Sequence, residues 1–455
     1  MTFRVPAHIA PGRDVSYSEM ADAIRILAVG PVESERPDRP KLSIGMANLA
    51  TVLFSRFLKF DTADPTWPDR DRLVFATGED AKLRYALRYL LGYGVTSSLE
   101  CQTCHRQLHA SEYLEYSSAL DPEAATDPGQ KIAIGAGMAV AEGLMNARLG
   151  NGFIDHFSYV IGGEDCLSGR IGQEAIVLAG QLRLSRLILL FDDSGKSGGS
   201  AGSPLCSDST LAWIEASGWS LCRISGDAPL AIAAAIDRAQ RSDRPSLIVC
   251  RSIGSSSASH RDKTEPTRVP LPASEVKDVA LFAPNELRAA FPVRDAVLAK
   301  WRQIGRRWGA ARREWIERAR QRSSRPRSPY HAAVNRNLPF GLTEAMKELR
   351  QCFTTREPSI CTQDASGRVI EGMASTLPNL LRNSANVARS GSTRSRVTCS
   401  LQSTTFASDH IHLLQNGAMA AAVNGIALHG GFIPTTTRIS TSLIAAVARL
   451  MWRPS

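Results

Sequence analysis

Residues 153–197 read FIDHFSYVIGGEDCLSGRIGQEAIVLAGQLRLSRLILLFDDSGKS, and this stretch decides the fold. Apolar runs at 157–161 and 187–191 each stop at a turn, so they predict two buried strands. The residues between them, 175–184, carry apolar side chains at helical spacing. A strand, a helix and a second strand in this order predict a parallel α/β sheet. Such sheets bind ligands beyond the carboxyl ends of their strands.

The same alternation extends along the chain in both directions. The apolar run near 245–251 is typical of a parallel strand that is buried on both faces. A helix at 132–149 contains Gly135 and Gly137, which lower helix propensity and therefore predict close packing. Further helices are predicted at 17–29 (capped by Ser18), 44–58, 81–91, 210–217, 229–241, 344–353, 366–381 and 417–429, and a further strand at 220–224.

Composition places the chain among ordinary soluble proteins. It has 455 residues, of which 43% are hydrophobic and 22% charged. No run of 18 apolar residues and no apolar leader segment are present, so we expect a cytoplasmic protein without a membrane segment. The nine cysteines follow no disulfide pattern. Cys101, Cys104 and His105 match the string that attaches c-type haem, but we interpret them as ordinary loop residues because haem attachment requires export.

The net charge of +10 is concentrated in the Arg-rich residues 301–327. Arginines interleaved with tryptophans are one pattern of a nucleic-acid-binding face. The alternative is an amphipathic helix followed by a basic linker, and we favour it because the apolar positions recur every three or four residues. They are Trp301, Ile304, Trp308, Ala311, Trp315 and Ala319.

A family resemblance follows from the opening stretch. Gly163-Glu164-Asp165 followed by Ser194 at the end of the next strand resembles the thiamine diphosphate motif of transketolases, in which a Gly-Asp-Gly turn precedes an Asn. Residues 44–78, with TWPDRDR before a strand, and residues 417–434, GAMAAAVNGIALHGGFIP, also resemble transketolase segments. The resemblance covers nearly the whole chain.

The resemblance implies a thiamine-diphosphate-binding α/β fold, with a parallel sheet flanked by helices and an incomplete second α/β domain. The implied division is a diphosphate-binding domain at 1–300, an Arg-rich linker at 301–330 and a truncated pyrimidine-binding domain at 331–455, since family members continue further. It also implies transfer of a two-carbon ketol group between sugar phosphates of the pentose phosphate or Calvin type. Thiamine diphosphate and Mg²⁺ would be the cofactors, and the protein would form a homodimer or pair with an intact transketolase.

The resemblance also assigns site residues. Gly163, Glu164, Asp165, Glu174 and Ser194 stand at cofactor-binding positions, and Glu164, Asp165 and Ser194 among them stand at the metal-binding positions. Ser384 stands at a substrate-binding position. Asn416 stands where the family has the glutamate that exchanges a proton with the cofactor.

Several of these positions depart from the family pattern. Arg39, Glu79 and Thr267 stand where the family has histidines, and none of the three titrates near pH 7 as an unperturbed imidazole does. Gln363 stands where an arginine would grip a phosphate. We therefore expect no catalytic residue to be intact and ketol transfer to be impaired or lost. The alternatives are a non-catalytic homologue that acts as a binding or dimerisation partner, a nucleic-acid-binding role, and a frameshift within 382–408.

Overall fold

The computed structural model describes the chain as an α/β protein with two parallel sheets. The ranges described are 15–29, 46–76, 80–93, 128–193, 207–251, 293–323, 341–356, 359–360, 362–374, 376–377, 379–384, 410–412 and 416–437. The predicted fold class, a parallel sheet flanked by helices and followed by a smaller α/β unit, is confirmed.

The first sheet has five parallel strands in the order β1-β2-β3-β5-β4. Along β3, Leu189 and Phe191 belong to the core on one face of the sheet, whereas Ile188 and Leu190 belong to the core on the other. Both faces are therefore covered, which explains why the strands are continuous apolar runs. The strands are β1 (Arg72–Phe75), β2 (Ser158–Gly162), β3 (Leu187–Asp192), β4 (Ser220–Ser225) and β5 (Ser246–Arg251).

Helices cover this sheet on both sides. Helices α4 (Gly129–Leu149) and α6 (Arg170–Gln181) contribute to one core. The other core contains residues of α1 (Tyr17–Val29), α2 (Met46–Val52), α3 (Asp80–Leu91), α8 (Pro229–Gln240) and α9 (Asp295–Gly305). The short helix α5 (Glu164–Ser168) follows β2, and the short helix α7 (Asp208–Ala216) precedes β4.

Two local predictions about the first helices are wrong. Ser16, rather than Ser18, caps α1, because the Ser16 hydroxyl accepts from the Glu19 N–H at 3.2 Å and the Glu19 carboxylate accepts from the Ser16 N–H at 2.7 Å. This reciprocal pair is a capping box. The predicted helix at 44–58 ends as an α-helix at Val52 and continues as a π-helical turn over Leu53–Phe57.

The Arg-rich segment forms two helices that pack on the first sheet's cores. Trp301 of α9 is fully buried, and Trp308 and, in α10 (Gly309–Ser323), Trp315 are largely buried. The Trp308 indole N–H donates to the Leu58 carbonyl at 2.9 Å, and that of Trp315 donates to the Phe153 carbonyl at 2.7 Å. The predicted buried stripe is thus confirmed. The boundary between domain and linker stays a prediction.

The second sheet has three parallel strands in the order β7-β6-β8. The predicted helix at 366–381 is wrong at its end, since α12 stops at Ala374 and Leu380 and Leu381 belong to β6. The intervening Pro378 explains the difference, because proline breaks a helix interior. The elements are α11 (Leu342–Arg356), α12 (Thr362–Ala374), β6 (Leu380–Ser384), β7 (His410–His412), α13 (Asn416–His429) and β8 (Ile433–Thr437).

Helix α13 joins the two units by lying against α4, and we call this contact the interdomain seam. Its helices approach so closely that a Cβ atom on Gly137 would overlap the Ala422 carbonyl, and one on Gly425 would overlap the Ile134 carbonyl. On the other side of α4, a Cβ atom on Gly135 would overlap Val160. The close packing predicted for this glycine-containing helix is confirmed.

Candidate functional site

The candidate cofactor site lies at the carboxyl edge of the first sheet. Strands β2 and β3 are hydrogen-bonded neighbours, with Gly162 opposite Phe191. The turn that begins at Gly163 and the chain that follows Asp192 therefore leave the sheet side by side. The structure thus confirms that the two predicted strand ends are adjacent.

Contacts between Cys166 and two glycines, Gly162 and Gly163, shape the turn after β2. Gly163 is extended, with φ −126° and ψ −164°, and α5 begins at the next residue. The Cys166 thiol donates to the Gly163 carbonyl at 2.8 Å. A Cβ atom on Gly162 would lie 2.6 Å from the Cys166 sulfur, so only glycine fits there without displacing the thiol. The backbone course of Glu164 and Asp165 is thus set by α5, while their side chains and the whole of Ser194 lie outside the described residues.

The types of ligand atom at this edge suit a hard cation. Carboxylates from Glu164 and Asp165 and a hydroxyl from Ser194 are oxygen ligands, as Mg²⁺ prefers. They differ from the family's donors in reach, because Glu164 is one methylene longer than aspartate and the Ser194 hydroxyl is shorter than an amide. The described residues contain no group of three or more His, Cys, Asp or Glu side chains arranged to hold a metal. Because the Glu164 and Asp165 side chains and Ser194 lie outside them, the cation site stays a prediction.

Glu174 contacts both the second unit and its own helix. One carboxylate oxygen accepts from the backbone N–H groups of Gly417 and Ala418, each at 3.0 Å. The other oxygen accepts from the Arg170 guanidinium, also at 3.0 Å. A carboxylate on the first N–H groups of a helix satisfies donors that have no partner within the helix and interacts favourably with the helix dipole. A cofactor-binding role for Glu174 stays a prediction.

The remaining predicted site residues lie at element ends. Asn416 is the first residue of α13, immediately before the N–H groups that Glu174 binds. Ser384 is the last residue of β6, at the carboxyl edge of the second sheet, and Gln363 lies in the first turn of α12. The side chains of all three lie outside the described residues, as do the whole residues Arg39, Glu79, Thr267, Cys101, Cys104 and His105.

Comparison with known proteins identifies the family. Residues 16–338 match the family described as "Transketolase, thiamine diphosphate binding domain". The chain belongs to the transketolase family. It is 34% identical over 444 residues to a transketolase of Sinorhizobium medicae and 37% identical over 423 residues to one of Cereibacter sphaeroides. These matches cover 94% and 92% of this chain, but only 62% and 64% of the relatives.

Solved transketolase structures share the fold. The transketolase of Leishmania mexicana superimposes with a TM-score of 0.76 at 25% identity, over 93% of this chain and 64% of that one. The Campylobacter jejuni transketolase gives a TM-score of 0.71 at 26% identity, over 93% of this chain and 65% of that one. None of the helices described in this transketolase homologue is both long and apolar enough to cross a membrane.

A second group of functional interest lies at the opposite edge of the first sheet, and sequence reasoning missed it. We call it the amino-edge cluster. Lys59 donates to Asp69 at 3.0 Å and to the Asp155 carbonyl at 2.6 Å, while Asp71 accepts from the Lys59 N–H at 2.7 Å. The cluster comprises Lys59, Asp69, Arg70, Asp71, Arg72, Glu142, Asp155, His156, Arg186 and His429.

Two histidines in this cluster connect the two units of the transketolase homologue. The Nε2 atoms of His156, before β2, and His429, at the end of α13, are 2.9 Å apart, and the rings stack with centroids 5.0 Å apart. The Arg72 guanidinium donates to the His429 carbonyl at 3.4 Å. His156 is 0% exposed and His429 is 6% exposed. The two residues are far apart in sequence, so only the fold reveals the pair.

Burial shifts the protonation of several groups in the cluster. Desolvation, followed by the nearby Arg72 charge, holds the pKa of His156 and of His429 well below the usual 6.5. Desolvation raises the pKa of Asp71 to about 6 and that of Glu142 to about 8, against the opposing charges of Lys59 and Arg186 respectively. One Glu142 oxygen has no hydrogen-bond partner within the part of the chain that the structure describes.

Proposed function

We propose that this chain is a transketolase homologue in which ketol transfer is strongly impaired, while the fold and the interdomain seam are retained. The observation that carries the proposal is the start of α13. Asn416 occupies the first position of this helix, and the Glu174 carboxylate binds the N–H groups that follow. By the resemblance, an amide stands at the position where the family exchanges a proton.

The chemistry of the two side chains explains the impairment. An asparagine amide forms hydrogen bonds but neither gains nor loses a proton near neutral pH, so it supplies no general acid or base. The Glu174 carboxylate binds the backbone N–H groups of Gly417 and Ala418 and the Arg170 guanidinium instead. Asn416 therefore supplies no proton exchange with a cofactor at this helix start.

The cofactor assignment is part of the same proposal. Thiamine diphosphate, when bound, supplies a stabilised carbanion for ketol transfer. In this chain Glu164, Asp165 and Ser194 would hold a divalent cation at the carboxyl edge, with Gly163 leaving room for the turn. Sugar phosphates would be the substrate class, and Ser384 would contact the substrate. The altered reach of the three cation ligands favours weak cofactor binding, because Mg²⁺ demands near-ideal octahedral geometry.

A ketol-transfer assay with paired variants tests this proposal. We expect the wild-type protein to turn over at least about a thousandfold more slowly than the Cereibacter sphaeroides transketolase, because positioned acid–base groups contribute about 10²–10⁴-fold. Glu164→Asp, Asp165→Gly and Ser194→Asn together restore the family's cation ligands. On that background Asn416→Glu should give a higher ketol-transfer rate than Asn416→Gln, which has the same length without a carboxyl group. Wild-type turnover within about tenfold of the relative would contradict the proposal.

A second candidate is a non-catalytic partner that pairs with an intact transketolase or with itself. The tightly packed seam favours it, since the close contact of α4 and α13 keeps the two units together. Co-purification with a full-length transketolase would support this role, and a protein that stays monomeric in its presence would count against it.

A further inference from the structure

Two buried oxygen atoms near the amino end of β2 have no hydrogen-bond partner among the residues that the structure describes. One is Oε1 of Glu142, in α4, and the other is the hydroxyl oxygen of Ser158, the first residue of β2. Glu142 is 3% exposed and Ser158 is 0% exposed. Both lie away from the candidate cofactor site, which is at the opposite edge of the sheet. We propose that Glu142 and Ser158 form a site for one small monovalent cation, of the class of K⁺, Na⁺ or NH₄⁺.

Two contacts show that α4 runs antiparallel to β2. A Cβ atom on Gly135 would lie 2.4 Å from a methyl group of Val160, and the Asn146 side chain donates to the Ile154 carbonyl at 2.5 Å. Glu142 lies between these two points of α4. It is about two turns beyond Gly135 and therefore on the same face of the helix. Glu142 thus faces the segment between Ile154 and Val160, at the amino end of β2.

The Ser158 side chain points toward the same space. Side chains alternate between the two faces of a strand, so Ser158 shares a face with Val160, which belongs to the core that α4 covers. The side chain of a helical residue leans toward the N-terminus of its helix. For Glu142 this is the direction from Asn146 back toward Gly135, and hence toward Ser158. The two unpartnered oxygens therefore approach each other between α4 and β2.

The charges around Glu142 leave it without a cation of its own. Two cations and two further carboxylates act on its carboxyl group, namely Arg186, Lys59, Asp155 and Asp69. Arg186 already pairs with Asp155, and Lys59 binds Asp69 at 3.0 Å. Glu142 is therefore the third carboxylate beside two cations. Because an uncompensated buried charge is unfavourable, one further positive charge beside Glu142 would stabilise its carboxylate.

The class of ion follows from the ligand atoms and the charge. Carboxylate and hydroxyl oxygens suit a hard cation. A divalent ion would exceed the single uncompensated charge, and the described part of the chain contains no group of three or more His, Cys, Asp or Glu side chains that could hold a metal. The Arg186 and Asp155 side chains beside Glu142 are 32% and 33% exposed, so an ion reaches the site from solvent along this pair.

Thermal unfolding of the full chain at pH 8.5, with EDTA to remove divalent ions, tests the site. KCl, NaCl and NH₄Cl are compared with tetramethylammonium chloride at a matched ionic strength of about 0.2 M, because the tetramethylammonium ion is too large for a buried oxygen site. We expect at least one small cation to raise the Tm by at least about 2 °C, with saturation. Equal Tm values in all four salts would show that a proton or a water molecule satisfies Glu142, and would overturn the proposal.

Three variants locate the response. Glu142→Gln should abolish the difference between the small cations and tetramethylammonium. Ser158→Ala should raise the half-saturating cation concentration by about tenfold, since a bond to a charged group is lost. Ser246→Ala is the matched control. Ser246 is the first residue of β5 and is also buried with an unpartnered hydroxyl, but it lies on the opposite face of the sheet. A folded Glu142→Gln protein that keeps the cation response overturns the proposal, as does equal weakening in the two serine variants.

Discussion

The two edges of the first sheet differ in what they preserve. At the amino edge and along the interdomain seam, buried side chains and closely packed glycines hold two units of the chain together. At the carboxyl edge, the backbone turn after β2 is present, but the proposed alignment puts Glu164, Asp165 and Ser194 at positions where the family has other cation ligands. The same proposed alignment puts Asn416, at the start of α13, at the position of the family's proton-exchanging acid.

This difference separates two demands on a sequence. Packing tolerates few changes in a seam where helix backbones touch, because any added atom must displace its neighbour. Catalysis depends on individual side chains that contribute little to packing, so they change without loss of the fold. A chain that keeps the family's packing residues while its site residues change fits the proposed role of an impaired or binding homologue.

The largest effect is expected from breaking the seam. In Gly137→Ala the new Cβ meets the Ala422 carbonyl of α13, a backbone atom that cannot rotate away. Alanine's better helix propensity offsets about 1 kcal/mol, and we still expect the free energy of unfolding to fall by about 2–3 kcal/mol. Urea denaturation measures this. Gly152→Ala is the control, since no atom lies within 4 Å of its added Cβ, and it should change stability by under about 0.5 kcal/mol. Equal losses in both variants would contradict the packing argument.

An effect with a distinct pH dependence is expected at Glu142. Burial raises its pKa from the ordinary 4.5 to about 8, so the stability present below 4.5 is lost as the pH rises through about 8. Glu142→Gln should therefore stabilise the protein at pH 9 and have little effect at pH 5, because the substitution removes the penalty of burying a carboxylate only where that carboxyl group would ionise. Thermal unfolding at the two pH values measures this. A gain of the same size at both would show that Glu142 does not titrate with a raised pKa.

The smallest effect is expected at the contact between Glu174 and α13. Glu174→Ala removes the acceptor of the Gly417 and Ala418 N–H groups, and we expect it to cost about 1–2 kcal/mol of stability. Glu174→Gln should cost less, because its amide oxygen still accepts. Glu215→Ala, at an exposed position of α7, is the control and should stay within about 0.5 kcal/mol of the wild type. If Glu174→Ala matched that control, the carboxylate would contribute nothing to the seam.

The sequence predicts the first sheet well because its information there is local. Continuous apolar runs ending at Gly162 and Asp192 locate two neighbouring strands, and the glycines of α4 indicate a close helix contact. Other features depend on residues that meet only after folding. His156 and His429 are 273 residues apart, and Glu142 lies within a run of small residues that shows only a buried helix. The contact between Glu174 and α13 likewise joins two units that the chain separates.

The central claim is that the carboxyl edge has lost its cofactor chemistry while the fold is kept. A calorimetric titration of thiamine diphosphate into the purified protein, with excess Mg²⁺, tests it most directly. The account predicts no saturable heat below about millimolar cofactor, which at 1 mM corresponds to a binding free energy weaker than about −4 kcal/mol. The combined substitutions Glu164→Asp, Asp165→Gly and Ser194→Asn should produce a saturable heat of cofactor binding. Saturable, chelator-sensitive binding at micromolar cofactor in the wild-type protein would contradict the account.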